Sequence, residues 1–288
     1  MKPTILIAGA AGATGRAATE LLLKKGFAVR ALVRREDERS ERLRSQGADI
    51  VIGDLLDYRS LRSAFDGVQR AYMVYPMRPG LIEATCNFAE AALGAKVDFI
   101  VNMSQRTARE DAISDSALKH WLAERILDRS GLSVTHLRPT AFAEWFLYMR
   151  NMIKEGRYSV PFEATGRFAP IAAADQGAVI AAILAEPKSH EGRTYPLYGP
   201  AEMTPSEIAA LAGQVLGKVV RYEKISPEQW VREVTGQDIP FLSQHLTGIA
   251  YDHKQGMMAG TNDNVERITG KAPMSLASYL EKHRELFA

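Results

Sequence analysis

The chain has 288 residues, 46% of them hydrophobic and 24% charged, which is the balance of an ordinary folded globular protein and excludes a disordered one. With 36 basic against 34 acidic side chains the formal charge is only +2, so no global field recruits nucleic acid or an anionic membrane. The one cysteine, Cys86, excludes an intrachain disulfide and any cysteine-built zinc or iron–sulfur centre, and points to a reducing, cytoplasmic setting.

Lys2 and the apolar residues after it mimic the start of a signal peptide, but three glycines and Arg16 interrupt the run early. No stretch reaches the roughly 18 apolar residues of a membrane span. Short β-branched runs then alternate with helical patterns, the signature of βαβ units and a parallel sheet. The predicted strands are 4–10, 28–34, 49–54, 70–76, 98–104 and 133–140. The predicted helices between them are 14–25, 36–46, 58–66, 80–94, 115–130 and 141–155. Gly26, Gly47, Gly67, Gly94 and Gly131 each follow a helix, where a left-handed residue is wanted. Cys86 falls within the 80–94 helix and reads as a buried small hydrophobe.

After Gly156 the regularity changes. A loop with Pro161, Gly166 and Pro170 leads to a helix at 174–186, a strand-like 194–200, and a helix opened by the capping box Thr204 and Glu207 with Pro205 at its first position. A strand at 219–226 and four short helical segments follow. The expected fold is therefore α/β, a Rossmann-type doubly wound parallel sheet with a smaller, mostly helical C-terminal substrate lobe. Residues 1–152 make the nucleotide-binding domain, with helix 172–190 packed back on it, and 153–171 with 191–288 make the lobe.

Within this frame GAAGATG, residues 9–15, stands between the first strand and the first helix. Gly9, Gly12 and Gly15 suit a tight turn that lets a pyrophosphate approach the backbone, with Ala11, Ala13 and Thr14 completing the cradle at the helix N-terminus. About 20 residues on, where an acidic residue would select NAD, stand Arg34 and Arg35, whose guanidinium forks suit a 2′-phosphate. NADP(H) is therefore preferred over NAD(H). Other ligand contacts belong at later strand ends: Asp54 and Leu55 by the adenine, Tyr75 and Pro76 by the ribose and pyrophosphate, and Ser104 at the end of the fifth strand. Phe142 can wall the nicotinamide pocket, while Trp145, Phe146 and Tyr148 mostly suit core packing.

None of the ten tyrosines has a lysine four residues later, so the proton-donating Tyr-x-x-x-Lys pair of many reductases of this architecture is missing. In its place the helix at 115–130 carries Ser116, Lys119 and His120, with Glu124 one turn beyond His120 on the same face. An imidazole titrating near neutrality can protonate a substrate, and the carboxylate can orient it. The alternative is an ordinary helical histidine. His136 reads as a satisfied sheet residue, and His245, His253 and His283 share no metal-ligand spacing. Neither a metal nor a flavin is expected.

GAAGATG, the arginine of ALVRR, GDLLD, and His120 and Glu124 running into SGLSVTHLRPTAFAEWFL together resemble the NmrA-like branch of atypical short-chain dehydrogenases. TYPLYGPAEMTPSEIAALAGQVLGKVVRYEKIS resembles the entry to the substrate lobe of that group's reductases, and the likeness thins beyond about residue 235. The resemblance implies cofactor contacts at Gly9, Gly12, Gly15, Arg34, Asp54 and Leu55, with Pro139 to Phe142 beside the nicotinamide. Many relatives have lysine where this chain has His120, so the resemblance passes the lysine's role to Lys119; bacterial dye and quinone reductases often carry histidine there. The implied activity is NAD(P)H-dependent reduction of a small conjugated molecule such as a quinone or azo dye, by a monomer or homodimer with no nucleic-acid or membrane partner. The rival is a non-catalytic NADP(H)-sensing regulator. An extended-class sugar-nucleotide enzyme is disfavoured by the missing tyrosine.

Overall fold

The computed structural model describes residues 2–287. Seven strands form one parallel sheet: β1 (Thr4–Ala8), β2 (Ala28–Val33), β3 (Asp49–Ile52), β4 (Arg70–Met73), β5 (Phe99–Met103), β6 (Val134–Pro139) and β8 (Thr194–Leu197). Their spatial order is β3-β2-β1-β4-β5-β6-β8, so the chain reverses direction across the sheet between β1 and β4. That reversal opens a crevice at the carboxyl ends of the strands, where ligands of such sheets bind.

Covering both faces explains the unbroken apolar strands. In β1 alternate residues go to opposite cores, Ile5 and Ile7 to one face and Leu6 and Ala8 to the other. The first face is covered by α1 (Ala13–Lys24) and α8 (Ala173–Ala185), the second by α3 (Tyr58–Ala64), α4 (Leu81–Gly94) and α5 (Asp115–Arg129). A Cβ on Gly177 of α8 would lie 2.4 Å from the Ala17 methyl of α1, so these two helices touch through small residues.

A third core joins the parallel pair β7 (Arg157–Val160) and β9 (Arg221–Lys224) and α9 (Pro205–Leu216) to α6 (Trp145–Tyr148) and α7 (Arg150–Lys154), although the expected boundary at residue 152 assigned α6 and the start of α7 to the nucleotide-binding part. The rest is α10 (Pro227–Thr235), α11 (Pro240–Lys254), α12 (Asn264–Thr269) and α13 (Leu276–Lys282). Thr204 and Glu207 form the expected capping box. Among the described residues no helix is long and apolar enough to cross a membrane.

Several local expectations need correction. The single helix at 141–155 starts late, because Ala143 N–H and Ala141 C=O pair across the chain with Ile171 and hold the first residues extended, and it is broken in two at Met149. Tyr148 points outward, 63% exposed, rather than into the core. The Pro161-to-Pro170 loop follows an unexpected strand, β7, and buries Phe162 and Phe168. α11 is as long as α5, not a short segment. Gly94 is helical, and the left-handed residue is Lys96, at φ 58. Cys86 is exposed, on the side of α4 with Glu83 and Glu90, while Ala84, Thr85 and Phe88 face inward.

Candidate functional site

The crevice begins at the turn after β1. Gly9 has φ 61, a left-handed conformation that favours glycine, and its carbonyl accepts the Gly12 N–H at 2.8 Å. A Cβ on Gly15 would lie 2.4 Å from the Gly9 oxygen, so only glycine lets α1 come this close to the turn. Gly12 caps α1 without a side chain, leaving the first-turn N–H groups of Ala13, Thr14 and Gly15 for an anion, while Ala11 lies on the turn. Thr14 Oγ1 meets the buried Tyr72 hydroxyl at 3.0 Å, pinning the helix to β4.

Arg34 and Arg35 are exposed just beyond β2. The acidic residues beside them are engaged elsewhere: Glu36 pairs with Arg44, and Asp37 with Arg39, whose guanidinium holds the Asp37 carboxyl low. Among the described residues, Arg34 and Arg35 have no ion-pair partner. At β3 the Asp54 carboxylate accepts from Leu56 N–H at 3.0 Å, and Asn87, missed in the sequence, donates to the Leu55 carbonyl at 3.1 Å. These contacts shape the turn holding Asp54 and Leu55. Tyr75 is buried and its hydroxyl donates to the Pro79 carbonyl at 2.9 Å, so its ring rather than its phenol faces any ligand; Pro76 is exposed.

At β5 and β6 the crevice floor is polar and unsatisfied. Ser104, Thr107 and Thr140 are buried, and the Oγ atom of each lacks a hydrogen-bond partner, as does Gln105 Nε2. Buried polar groups are normally paired, so such a group of orphans marks where a ligand supplies the partners. Ser104 N–H donates to Leu137 C=O and Arg106 N–H to Pro139 C=O, which keeps the two strand ends together. Phe142 is half-buried, bridged to Ile171. Thr107 and Gln105 were not anticipated; polar residues in a loop carry no signal of burial.

The roof is α5 against α11. Ser114 caps α5 by accepting from Ala117 N–H at 3.1 Å, and its oxygen lies 2.7 Å from His245 Nδ1. Ser114 is fully buried, with His245 the partner for its own proton, so the serine donates and His245 carries its hydrogen on Nε2. Gln244 accepts from Asp115 N–H and donates to Ile113 C=O, and Arg109 makes a two-pronged ion pair with the buried Asp252 at 2.7 and 2.9 Å. A Cβ on Gly248 would lie 2.5 Å from Ser114 N.

Beneath this roof the anticipated dyad is rearranged. His120 is buried, and Glu124 does not orient it: the fully buried carboxylate accepts from Arg138 Nε at 2.8 Å and from its terminal nitrogen. Burial pushes the His120 imidazole down to about 4, against the near-neutral titration expected, and Glu124 offsets this only in part. Burial, reinforced by the charge of His120, pushes His245 down to about 3. Lys119 lies 5.3 Å over the Phe241 ring of α11, and Ser116 Oγ donates to Met77 Sδ. His136 is satisfied in the sheet, at 3.1 Å from Asn102 and 3.0 Å from Asp128.

The model of the NmrA-like family matches residues 1–273. The chain belongs to this family. Among its relatives is an NAD(P)H azoreductase from Xenophilus azovorans, 29% identical over 98% of this chain and 99% of that protein. Another is the NADPH-dependent quinone oxidoreductase from Escherichia coli, whose structure with NADPH is 26% identical and superposes with a TM-score of 0.84 over 97% of this chain and 99% of that one. NmrA, a negative transcriptional regulator solved with NAD, shares the fold at 16% identity, with a TM-score of 0.84 over 99% of this chain and 96% of that one.

Proposed function

We propose that this protein is an NAD(P)H-dependent reductase, preferring NADPH, that passes hydride directly to a quinone, azo or related conjugated acceptor. One observation carries the reading: Ser104, Thr107 and Thr140 hold unpartnered buried hydroxyls at the strand ends where the nicotinamide half of a dinucleotide would rest. Two relatives of full length, an azoreductase and a quinone oxidoreductase, support the acceptor class by their names.

In this reading residues 1–152 hold the cofactor and the segments 153–171 and 191–288 form the acceptor lobe. The turn at Gly9, Ala11, Gly12, Ala13, Thr14 and Gly15 receives the pyrophosphate on free backbone N–H groups. Arg34 and Arg35 take the 2′-phosphate, Asp54 and Leu55 flank the adenine, and Tyr75 and Pro76 line the ribose side. Ser104, Thr107 and Thr140 hydrogen-bond the nicotinamide end, walled by Pro139 and Phe142. Reduced nicotinamide, when bound, supplies the hydride. The chain's share of the work is alignment and exclusion of water by the α5–α11 roof.

His120, neutral at pH 7, donates one N–H hydrogen bond to the acceptor heteroatom that gains charge. That hydrogen bond stabilises the charge which hydride delivers, and the reduced acceptor takes its proton from solvent on release. Glu124 acts through Arg138 as scaffold. Steady NADPH oxidation with a panel of quinones and azo dyes is the expected result, with kcat/KM lowered about 100-fold in His120→Ala. Tight NADPH binding with no turnover on any acceptor would leave a nucleotide-sensing regulator instead.

A further inference from the structure

Most half-buried arginines here have a carboxylate: Arg30 pairs with Asp49, Arg109 with Asp252, Arg138 with Glu124, and Arg157 with Glu155, Glu223 and Glu233. Arg70 instead donates to the Leu184 and Ala185 carbonyls at the end of α8. Arg106 differs. Among the described residues its side chain donates only to the Tyr198 hydroxyl, with its guanidinium 5.8 Å from that ring, and it has no ion-pair partner. Tyr198 is itself buried, and no acceptor for its proton is present among the described residues. The terminal nitrogens of this half-buried guanidinium have no protein acceptor among the described residues, and their planar fork suits an oxyanion.

The cofactor's phosphates are not the counter-ion of Arg106. They belong at the turn after β1, whereas Tyr198 follows β8, four strands away in the order β1-β4-β5-β6-β8. At about 4.8 Å per strand the separation is roughly 19 Å. Arg106 begins at β5 and reaches over β6, in the loop that carries the orphaned Gln105 and Thr107 atoms. The Arg106–Tyr198 pair therefore lies at the carboxyl ends of β6 and β8, away from the turn after β1.

Resting on the reductase reading above, we propose that the acceptor carries an oxyanion, a carboxylate, phosphate or sulfonate, bound by the Arg106 fork and the Tyr198 hydroxyl. The reducible group then lies between that anchor and the nicotinamide end, under His120. A neutral acceptor of the same shape leaves the guanidinium unpaired and binds more weakly.

The test uses two probes of matched shape, 4-phenylazobenzenesulfonate and its neutral sulfonamide, titrated calorimetrically into the NADP⁺-loaded protein, where no turnover occurs. The sulfonate is expected to bind at least about ten-fold more tightly, as for a charged hydrogen-bonded pair. Arg106→Gln should erase most of that preference, and Tyr198→Phe, which keeps the ring, should narrow it should the arginine variant fail to fold. Equal affinities in the parent, binding of neither probe, or a preference that survives in both variants would overturn the proposal. Failure of every acceptor to oxidise NADPH would sink the reductase reading alone, because the binding ratio is read without turnover.

Discussion

The turn after β1 and the roof over β5 and β6 face the same crevice but are assembled over very different distances along the chain. The turn is complete within Gly9 to Arg16: one left-handed glycine, one hydrogen bond from Gly12 to Gly9, and one missing Cβ at Gly15 fix it. The roof joins partners more than a hundred residues apart, Ser114 to His245 and Arg109 to Asp252. Local rules build the turn within eight residues, while the cover exists only once α11 has packed against the start of α5.

This contrast can be broken from either side. The largest effect is expected from Arg109→Met, which strands the buried Asp252 carboxylate and should cost about 3–5 kcal/mol of stability. Urea unfolding should then show the lobe loosening before the sheet, and a single transition of unchanged midpoint would deny the ion pair its role. Gly15→Ala attacks the other end. Its methyl meets backbone rather than a movable side chain, so about 1–3 kcal/mol is expected, with cofactor affinity lost and the roof intact. Wild-type NADPH affinity in that variant would contradict the close approach.

Arg34→Ala leaves both structures standing and should weaken NADPH, not NADH, by about 1–3 kcal/mol. Equal loss for the two cofactors would remove Arg34 from the 2′-phosphate site. The smallest effect is a pH dependence of the roof. His245 and His120 have folded pKa values below the unfolded value near 6.5, so the unfolded chain binds the extra protons. Their contribution is present above about pH 6.5 and is lost as the pH falls toward 4. Buried Glu144 and Asp175, with raised pKa values, pull the other way, so the difference between parent and His245→Asn isolates the histidine. That difference should shift by about 1–2 kcal/mol between pH 7.5 and pH 5, and a flat difference would count against burial of a neutral ring.

The same contrast explains what the sequence made legible. Strand, glycine turn and helix obey short-range rules, so the parallel sheet, the cradle and the Thr204 capping box are readable from spacing. The position of Arg34 and Arg35 just beyond β2 was readable because the distance from the glycine turn to the end of β2 is set by one βαβ unit. The place of His120 on α5 was readable, but its environment was not. Glu124 lies one turn away in sequence, yet Arg138 from β6 takes it, and His245 arrives from α11. Long-range choice of partner leaves no periodic mark. Cys86 and Tyr148 failed for a related reason, since a helix reveals its apolar side more clearly than which borderline residue turns outward.

The central claim is that the crevice delivers hydride rather than merely holding a nucleotide. Rapid anaerobic mixing of the NADPH-loaded protein with a quinone, repeated with cofactor deuterated at the transferring position, tests it most directly. A single-turnover loss of NADPH absorbance that slows with deuterium, and slows further in His120→Ala, is the predicted result. Bound NADPH that survives mixing with every acceptor, or that disappears at a rate indifferent to deuterium and to His120, would contradict it.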